Sequence, residues 1–141
     1  MIHYPVKLEL RIDWSEMDLF GHVNNVSYFK YVQASRVNYW EKTGVIDEHM
    51  NEGIGPMLVS CKCDFKAPLH YPGSFIIEAG VAQVGNTSFT IRHRIIDSTG
   101  KLCAEAEDVI VMFNYKNNEK VRVPDDLRSS IDRIQQSLSG N

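Results

Sequence analysis

Hydrophobic side chains recur with two different periods along the chain, and each period predicts a type of element. Residues 6–14 alternate between apolar and polar side chains, which is typical of a half-buried strand. From Val26 to about Lys42 apolar residues cover most of a helix circumference and leave a narrow polar strip at Lys30, Gln33 and Glu41. Because helices of this kind are usually buried, we expect this helix at the centre of the molecule.

After Pro56 the period changes to two. Alternating runs predict further strands at about residues 57–67, 75–81, 89–95 and 101–115. In the last run the polar parity changes near Glu107-Asp108, which predicts a β-bulge in that strand. Residues 45–55 are expected to form a short irregular or helical connection. Proline and two acids at 124–126 predict the start of a terminal helix that runs to about Ser137.

Together these elements predict an α+β fold in which a curved, antiparallel, five-stranded sheet wraps around a long central helix, with a second helix at the C-terminus. A length of 141 residues suits a single domain, residues 1–141, and no repeat or linker divides it. The sheet is too short to close, so its edge strands need cover. Pairing with a second copy supplies that cover, and we expect at least a homodimer.

Composition narrows the classes of function. A net charge of −3 argues against broad binding to nucleic acid or to anionic membranes. Apolar runs are short, and the N-terminus lacks the pattern of a signal peptide, so we expect a cytoplasmic protein. The three cysteines form no C-x-x-C pair, and the histidines show no metal-ligand spacing. We therefore expect neither a disulfide framework nor a metal site.

The segment from Glu16 to Asn25 is the strongest candidate for chemistry. It places one carboxylate, Asp18, in a short loop, with Gly21 as the turn residue and with Asn24 and Asn25 where the central helix is predicted to begin. A helix N-terminus offers unpaired backbone N–H groups and the positive end of the helix dipole. Both can stabilise an oxyanion that develops beside a loop carboxylate.

The same segment carries a resemblance to a known family. The pattern Asp18-x-x-Gly21-His22-Val23-Asn24-Asn25-x-x-Tyr28, followed by Tyr31 and Arg36, resembles the signature of hotdog-fold thioesterases of the 4-hydroxybenzoyl-CoA thioesterase family. The similarity extends over nearly the whole chain, including residues 85–88 and 124–127. It implies a hotdog fold, hydrolysis of acyl-CoA without a metal or an organic cofactor, and a site at a subunit interface of a homodimer or a tetramer made of two dimers.

Two positions qualify the resemblance. Gln33 occupies a place where many relatives in this branch carry glutamate. The other branch of the superfamily places its catalytic glutamate within the central helix, but here that helix has no acid before Glu41. Asp18 is therefore the candidate catalytic carboxylate.

A thioester is a good electrophile, so its hydrolysis chiefly requires an activated oxygen nucleophile and oxyanion stabilisation. By resemblance, Asp18 either attacks the carbonyl carbon to give a mixed anhydride or acts as the general base for water. The backbone N–H of Asn25 would bind the thioester oxygen, and His22 would orient Asp18 or contact the substrate. Capping of the helix or loop is the structural alternative for Asp18, Asn24 and Asn25, and a turn-stabilising hydrogen bond is the alternative for His22.

Further residues are candidates for contacts with the substrate. Tyr28, Met57 and Val59 are placed to line the acyl pocket, with a purely structural core role as the alternative. Candidates for hydrogen bonds or ion pairs to pantetheine and the nucleotide phosphates are Thr87, Ser88, Lys62 and Arg92, together with Lys66 and Arg94. A solvated strand face has the same pattern. His93, on the apolar side of its strand, is expected to be a buried histidine with satisfied hydrogen bonds.

The sequence thus predicts an acyl-CoA thioesterase. Two alternatives stay open, a non-catalytic module that binds acyl thioesters and a thioesterase that acts on acyl carrier protein. Chain length and aromaticity of the acyl group are not determined by the sequence, because the depth of the pocket depends on how subunits pack.

Overall fold

The computed structural model of the protein describes residues 2–137 and contains a curved antiparallel sheet packed against a long helix. Its elements, in chain order, are β1 (Val6–Arg11), a 3-10 turn (Trp14–Glu16), α1 (Asn25–Thr43), α2 (Val45–Glu52), β2 (Ile54–Phe65), β3 (Ser74–Val84), β4 (Ser88–Asp97), β5 (Leu102–Asn114), β6 (Glu119–Lys120) and α3 (Asp125–Gln136). The predicted antiparallel sheet, long helix and C-terminal helix are confirmed. The two-residue strand β6 is added to the five predicted strands, and residues 45–52 form a helix.

The strands lie in the order β1-β3-β4-β5-β2, and every neighbouring pair is antiparallel. Because β3, β4 and β5 follow one another as hairpins, the strand after α1 is left at the far side of the sheet from β1. The sheet therefore has two edges, a six-residue edge at β1 and a twelve-residue edge at β2. Of the helices in the described residues, none is long and apolar enough to span a membrane.

Helix α1 packs one side against the concave face of the sheet. Near its N-terminus Tyr28, Tyr31 and Val32 belong to a cluster that includes apolar residues of β3 and β4. Near its C-terminus Tyr39 and Trp40 belong to a second cluster that extends to α3. The opposite side of α1, which includes Val26, Phe29 and Val37, is exposed in the single chain. The helix is thus less covered than its apolar circumference predicts, because the open sheet faces only one side of it.

The bulge predicted near Glu107 and Asp108 does not lie there. Strand β5 pairs with β4 without interruption around Glu107 and Asp108, and its even-numbered residues from Ala104 to Met112 are all buried. The polar residue among them, Asp108, is a buried acid and does not mark a change of parity. The pairing of β5 is irregular at two other places: at Cys103, an extra residue of β5 opposite Ile95 and Ile96, and in β2, where the register shifts between Leu58 and Ser60. A bulge at Val59 therefore separates Met57 from the face that carries Cys61 and Cys63.

Candidate active site

Asp18 is held by the backbone of its own loop. The carboxylate oxygen Oδ1 accepts the backbone N–H groups of Phe20 at 2.8 Å and of His22 at 3.1 Å, and the N–H of Asp18 donates to the carbonyl of His22 at 2.7 Å. Gly21 has a φ of 82°, a left-handed conformation that glycine adopts without strain. The hydrogen bond from the His22 backbone N–H holds the pKa of Asp18 below its ordinary value, and the bond from Phe20 contributes less to this effect. Asp18 is exposed in the single chain and ionised at neutral pH.

His22 therefore acts on Asp18 through its backbone N–H. The imidazole of His22 stacks edge to face with that of His70, with 5.2 Å between the ring centroids. His70 Nδ1 lies 3.3 Å from the carbonyl oxygen of Gly21. Sequence reasoning assigned no role to His70, which comes from the segment between β2 and β3 and supports the turn from outside.

The start of α1 lies directly behind this loop. Asn24 is its N-cap, since Asn24 Oδ1 accepts the backbone N–H of Ser27 at 2.9 Å. Asn25 is the first helical residue. Within residues 2–137, the backbone N–H groups of Asn25 and Val26 have no hydrogen-bond acceptor. As predicted, Asn24 is a cap, and unpaired donors remain at the positive end of the helix dipole.

Glu16 connects the loop to the helix, and sequence reasoning missed this role. Its carboxylate accepts the Tyr31 hydroxyl at 2.7 Å and the backbone N–H of Asp13 at 2.8 Å, and it pairs with Lys30 at 2.8 Å. Burial raises the pKa of Glu16, but hydrogen bonds from Lys30, Asp13 and Tyr31 outweigh burial and lower it. The one signal in the sequence is the spacing Asp13-x-x-Glu16, which forms a capping box around the 3-10 turn.

The loop and the start of α1 face a cavity of about 510 Å³. Its lining residues are Asp18, His22, Val23, Asn25, Tyr28, Phe65, Lys66, Ala67 and Pro68. The structure thus brings together five of the predicted candidates, Asp18, His22, Asn25, Tyr28 and Lys66. The end of β2 and the residues after it supply the opposite wall, which sequence reasoning did not foresee. The Tyr28 hydroxyl accepts the backbone N–H of Leu69 at 3.2 Å, which joins the two walls.

Gly21 and Asn24 belong to the same loop, but the other predicted contact residues lie elsewhere in the single chain. Met57 and Val59 lie on β2, where Val59 is 54% exposed at the bulge. Thr87 and Ser88 lie at the turn from β3 to β4. Lys62 and Arg92 both pair with Glu107 on the face of the sheet away from α1 and line a separate cavity of about 160 Å³. Of the predicted basic residues, Lys66 is the one that lines the cavity around Asp18.

A second group of polar residues is closed off from solvent beneath α1. His93 Nδ1 lies 2.8 Å from the Ser35 hydroxyl, and His93 Nε2 lies 2.9 Å from Asp108 Oδ2, which also pairs with Arg36 at 2.9 Å. The side chains of His93 and Asp108 are fully buried. As predicted, His93 is a buried residue with satisfied hydrogen bonds. The group resembles a serine triad in composition, but a thioester has no access to it, so it is structural.

Within the described part of the chain, no three His, Cys, Asp or Glu side chains converge in a way that could hold a metal ion. The cavity around Asp18 instead combines an ionised carboxylate with unpaired backbone donors. The first can attack a carbonyl carbon or take a proton from water, and the second can bind the oxyanion that forms. This combination suits acyl transfer to water.

Comparisons with known proteins find thioesterases. A model of the thioesterase-like superfamily matches residues 12–131, which include the Asp18 loop, α1 and β2 to β5. The chloroplastic acyl-acyl carrier protein thioesterase ATL3 of Arabidopsis thaliana is 27% identical over 125 residues, which are 87% of this chain and 65% of that protein. The chain thus spans about two thirds of the length of that relative.

The predicted hotdog fold is confirmed, and two of the solved structures that share it show the extent of the likeness. A protein from Pseudomonas aeruginosa strain PAO1 superposes with a TM-score of 0.81 at 26% identity, over 95% of this chain and 94% of that one. A mutant 4-hydroxybenzoyl-CoA thioesterase with 4-hydroxybenzoyl-CoA bound superposes with a TM-score of 0.80 at 23% identity, over 89% of this chain and 97% of that one. At 23% identity the second likeness concerns the fold alone.

Proposed function

Because this chain belongs to the thioesterase-like superfamily, we propose that it hydrolyses acyl-CoA thioesters to a free acid and CoA. The observation that carries the proposal is the position of Asp18 in the same cavity as Asn25, whose backbone N–H has no acceptor within the described residues. Because a protein of the same fold holds an acyl-CoA, CoA is the carrier that we propose first.

Two routes agree with this arrangement. Asp18 can take a proton from water while the oxygen of that water adds to the thioester carbon. Alternatively, an Asp18 oxygen adds to that carbon, and water then hydrolyses the resulting mixed anhydride. In both routes the carbonyl oxygen gains negative charge beside the Asn25 N–H, the C–S bond breaks, and CoA leaves as a thiolate that takes up a proton. Both routes need an ionised Asp18, which the lowered pKa of this carboxyl supplies.

We also propose how the substrate lies. Tyr28 and Phe65, whose rings meet edge to face with 5.0 Å between the centroids, offer an apolar wall for the acyl group. Lys66, exposed at the same cavity, offers a positive charge for an anionic group of CoA. Lys62, Arg92, Thr87 and Ser88 remain candidates for contacts with the nucleotide or pantetheine of a substrate bound between two copies.

The assembly we propose is a homodimer formed along the exposed edge of β2. Leu58, Val59 and Phe65 on this strand are each at least 42% exposed in the single chain, and β2 has twelve residues whose outer edge has no strand beside it in the described chain. Strand β1, the other edge, has six residues and carries Lys7, Glu9 and Arg11. Short, charged edges resist pairing, so β2 is the better candidate.

The decisive experiment is the nearly isosteric change Asp18→Asn. An asparagine cannot add to the thioester or accept a proton from water, so we expect turnover to fall at least 100-fold while acyl-CoA still binds. Release of free thiol from short, medium, long and aromatic acyl-CoAs measures turnover, and calorimetry measures binding. A wild-type protein that binds acyl-CoA but hydrolyses none of the panel would be a binding module, and the enzymatic proposal would be wrong.

A second candidate substrate is an acyl thioester of acyl carrier protein. The observation in its favour is the 27% identity to a thioesterase of that specificity. The same acyl group should then be offered on CoA and on acyl carrier protein. A higher kcat/KM with the protein carrier would support this candidate, and a higher kcat/KM with CoA would support the first.

A further inference from the structure

We propose that Glu16 is a positioning residue, which joins the loop that carries Asp18 to the first turns of α1 and so fixes Asp18 relative to the Asn25 N–H. The role rests on the proposed function of Asp18 and Asn25. It adds a residue that lies outside the cavity and has no contact with the substrate.

The side chain of Glu16 makes an unusually complete set of contacts for an acid. It is only 6% exposed and accepts from three donors, the hydroxyl of Tyr31, the ammonium of Lys30 and the backbone N–H of Asp13. Tyr31 and Lys30 lie in the second turn of α1, whereas Asp13 precedes the loop. One carboxylate therefore ties the entry of the loop to the body of the helix. A buried charge is stable only with such partners, so the position is narrowly defined.

The backbone of Glu16 meets the same helix at a second point. Its carbonyl oxygen accepts both the backbone N–H of Asn24 at 2.8 Å and the side-chain Nδ2 of Asn24 at 3.0 Å. Asn24 in turn caps α1 through Ser27. Asp18 follows Glu16 by two residues, and Asn25 follows Asn24 directly. A displacement of Glu16 therefore moves the carboxylate and the oxyanion donor relative to each other.

The charge of Glu16, as well as its shape, matters for this role. A glutamine can still accept the Tyr31 hydroxyl through its amide oxygen, but its NH₂ group then points at the Lys30 ammonium, which is also a donor. Glu16→Gln should therefore weaken the connection between the Asp18 loop and α1 without leaving a cavity. Tyr31→Phe removes one donor to Glu16 and keeps the buried ring, so it weakens the same connection by a change in α1.

Both variants should be compared with the wild type and with Glu9→Gln, which makes the same chemical change at an exposed position on β1. Hydrolysis of 4-hydroxybenzoyl-CoA gives kcat and KM, and ¹³C NMR follows the titration of the Asp18 carboxyl. We expect kcat to fall about 10- to 100-fold in Glu16→Gln, which is the effect of misplacing reacting groups by about 1 Å, with KM changed less than about threefold. Tyr31→Phe should give a smaller fall in kcat, and Glu9→Gln should resemble the wild type.

The NMR titration separates positioning from mere stability. If Glu16 fixes the conformation of the Asp18 loop, the pKa of Asp18 should rise toward its ordinary value in Glu16→Gln. The reason is that the N–H groups of Phe20 and His22 would no longer point at the Asp18 carboxylate. Folded Glu16→Gln and Tyr31→Phe with wild-type kcat and an unchanged Asp18 titration would overturn the proposal. A wild type that leaves 4-hydroxybenzoyl-CoA intact bears on the proposed function, and the titration then decides the role of Glu16. If Glu16→Gln does not fold, Tyr31→Phe serves as the test.

Discussion

Three carboxylates show how the surroundings of a residue decide its role. Asp18 is exposed, receives two backbone N–H groups on one oxygen and keeps the other oxygen available. Glu16 is buried and fully engaged by donors. Asp108 is fully buried between Arg36 and His93. Only Asp18 therefore combines access to a ligand with a fixed charge, which chemistry requires, whereas the two buried acids contribute to the framework.

At this scale we predict that Asp108→Asn destabilises the fold by about 3 kcal/mol at pH 7, which is typical when one partner of a buried charge pair is removed. Burial raises the pKa of Asp108, but the hydrogen bonds from His93 and Arg36 outweigh burial and lower it. A lowered folded-state pKa stabilises the fold above the unfolded value near 3.9, and this stabilisation is lost as the pH falls through the folded-state pKa.

Urea denaturation at several pH values measures this effect. The difference in the free energy of unfolding between wild type and Asp108→Asn should be largest at pH 7 and should shrink below about pH 4. Asp125→Asn is the matched control, because Asp125 is an exposed acid paired with Arg122 at 2.7 Å on the protein surface. Loss of this charge should change the free energy of unfolding little. A difference between wild type and Asp108→Asn that does not depend on pH would contradict the ionised state of Asp108.

At the scale of elements, α1 shows how local signals define a helix. It begins where Asn24 caps its first turn and ends where Gly44 adopts a φ of 77°, and the sequence predicted both ends. The second end matters for the site, because α2 begins directly after Gly44 and leads into β2. A helix of fixed length thus sets where β2 starts, and β2 carries the far wall of the cavity.

We predict that Gly44→Ala destabilises the protein by about 1 kcal/mol, since a Cβ disfavours the left-handed conformation. The space around Gly44 is open, with no atom within 4 Å of a Cβ at this position, so the effect arises from the backbone alone. Gly44→Asn should lose less stability than Gly44→Ala, because asparagine adopts the left-handed conformation more readily than alanine. Equal losses in the two variants, measured by urea denaturation, would show that the cause is not the backbone conformation.

At the scale of the whole molecule, the candidate site lies beside an uncovered edge of the sheet. The cavity around Asp18 lies against the end of β2, and β2 is the long, partly apolar edge of the sheet. The outer side of α1 is also exposed. A second copy along β2 would bury apolar surface and enclose the cavity by the same contact. Assembly and catalysis are therefore expected to be coupled.

We predict that Leu58→Lys converts the proposed homodimer to a monomer and lowers the proposed thioesterase turnover with it. Leu58 is 42% exposed on β2, and a symmetric contact there would bring two introduced lysines close together. Light scattering gives the mass, and thiol release gives the activity. Glu9→Lys on the β1 edge should leave the mass unchanged. A wild type that is already monomeric, or a Leu58→Lys variant that stays dimeric, would contradict this assembly.

The sequence predicted the five main strands and the long helix, because strand and helix periods are local and strong. It also predicted that His93 would be buried and satisfied, since His93 has the parity of apolar neighbours. It misplaced the bulge, because Asp108 was taken for the start of a polar face and its partner Arg36 lies 72 positions away. It missed the role of Glu16 between the loop and α1, because the Tyr31 hydroxyl that donates to Glu16 lies 15 positions later in the chain.

By itself the sequence determined the strands, the caps of α1 and the loop that presents Asp18, because each depends on interactions between residues a few positions apart. Only the tertiary structure decided that residues 65–68 face Asp18 across a cavity and that Ser35, His93 and Asp108 share one buried cluster. These meetings depend on the order and register of the strands, which bring together residues far apart in the chain. No local pattern of polar and apolar side chains encodes them.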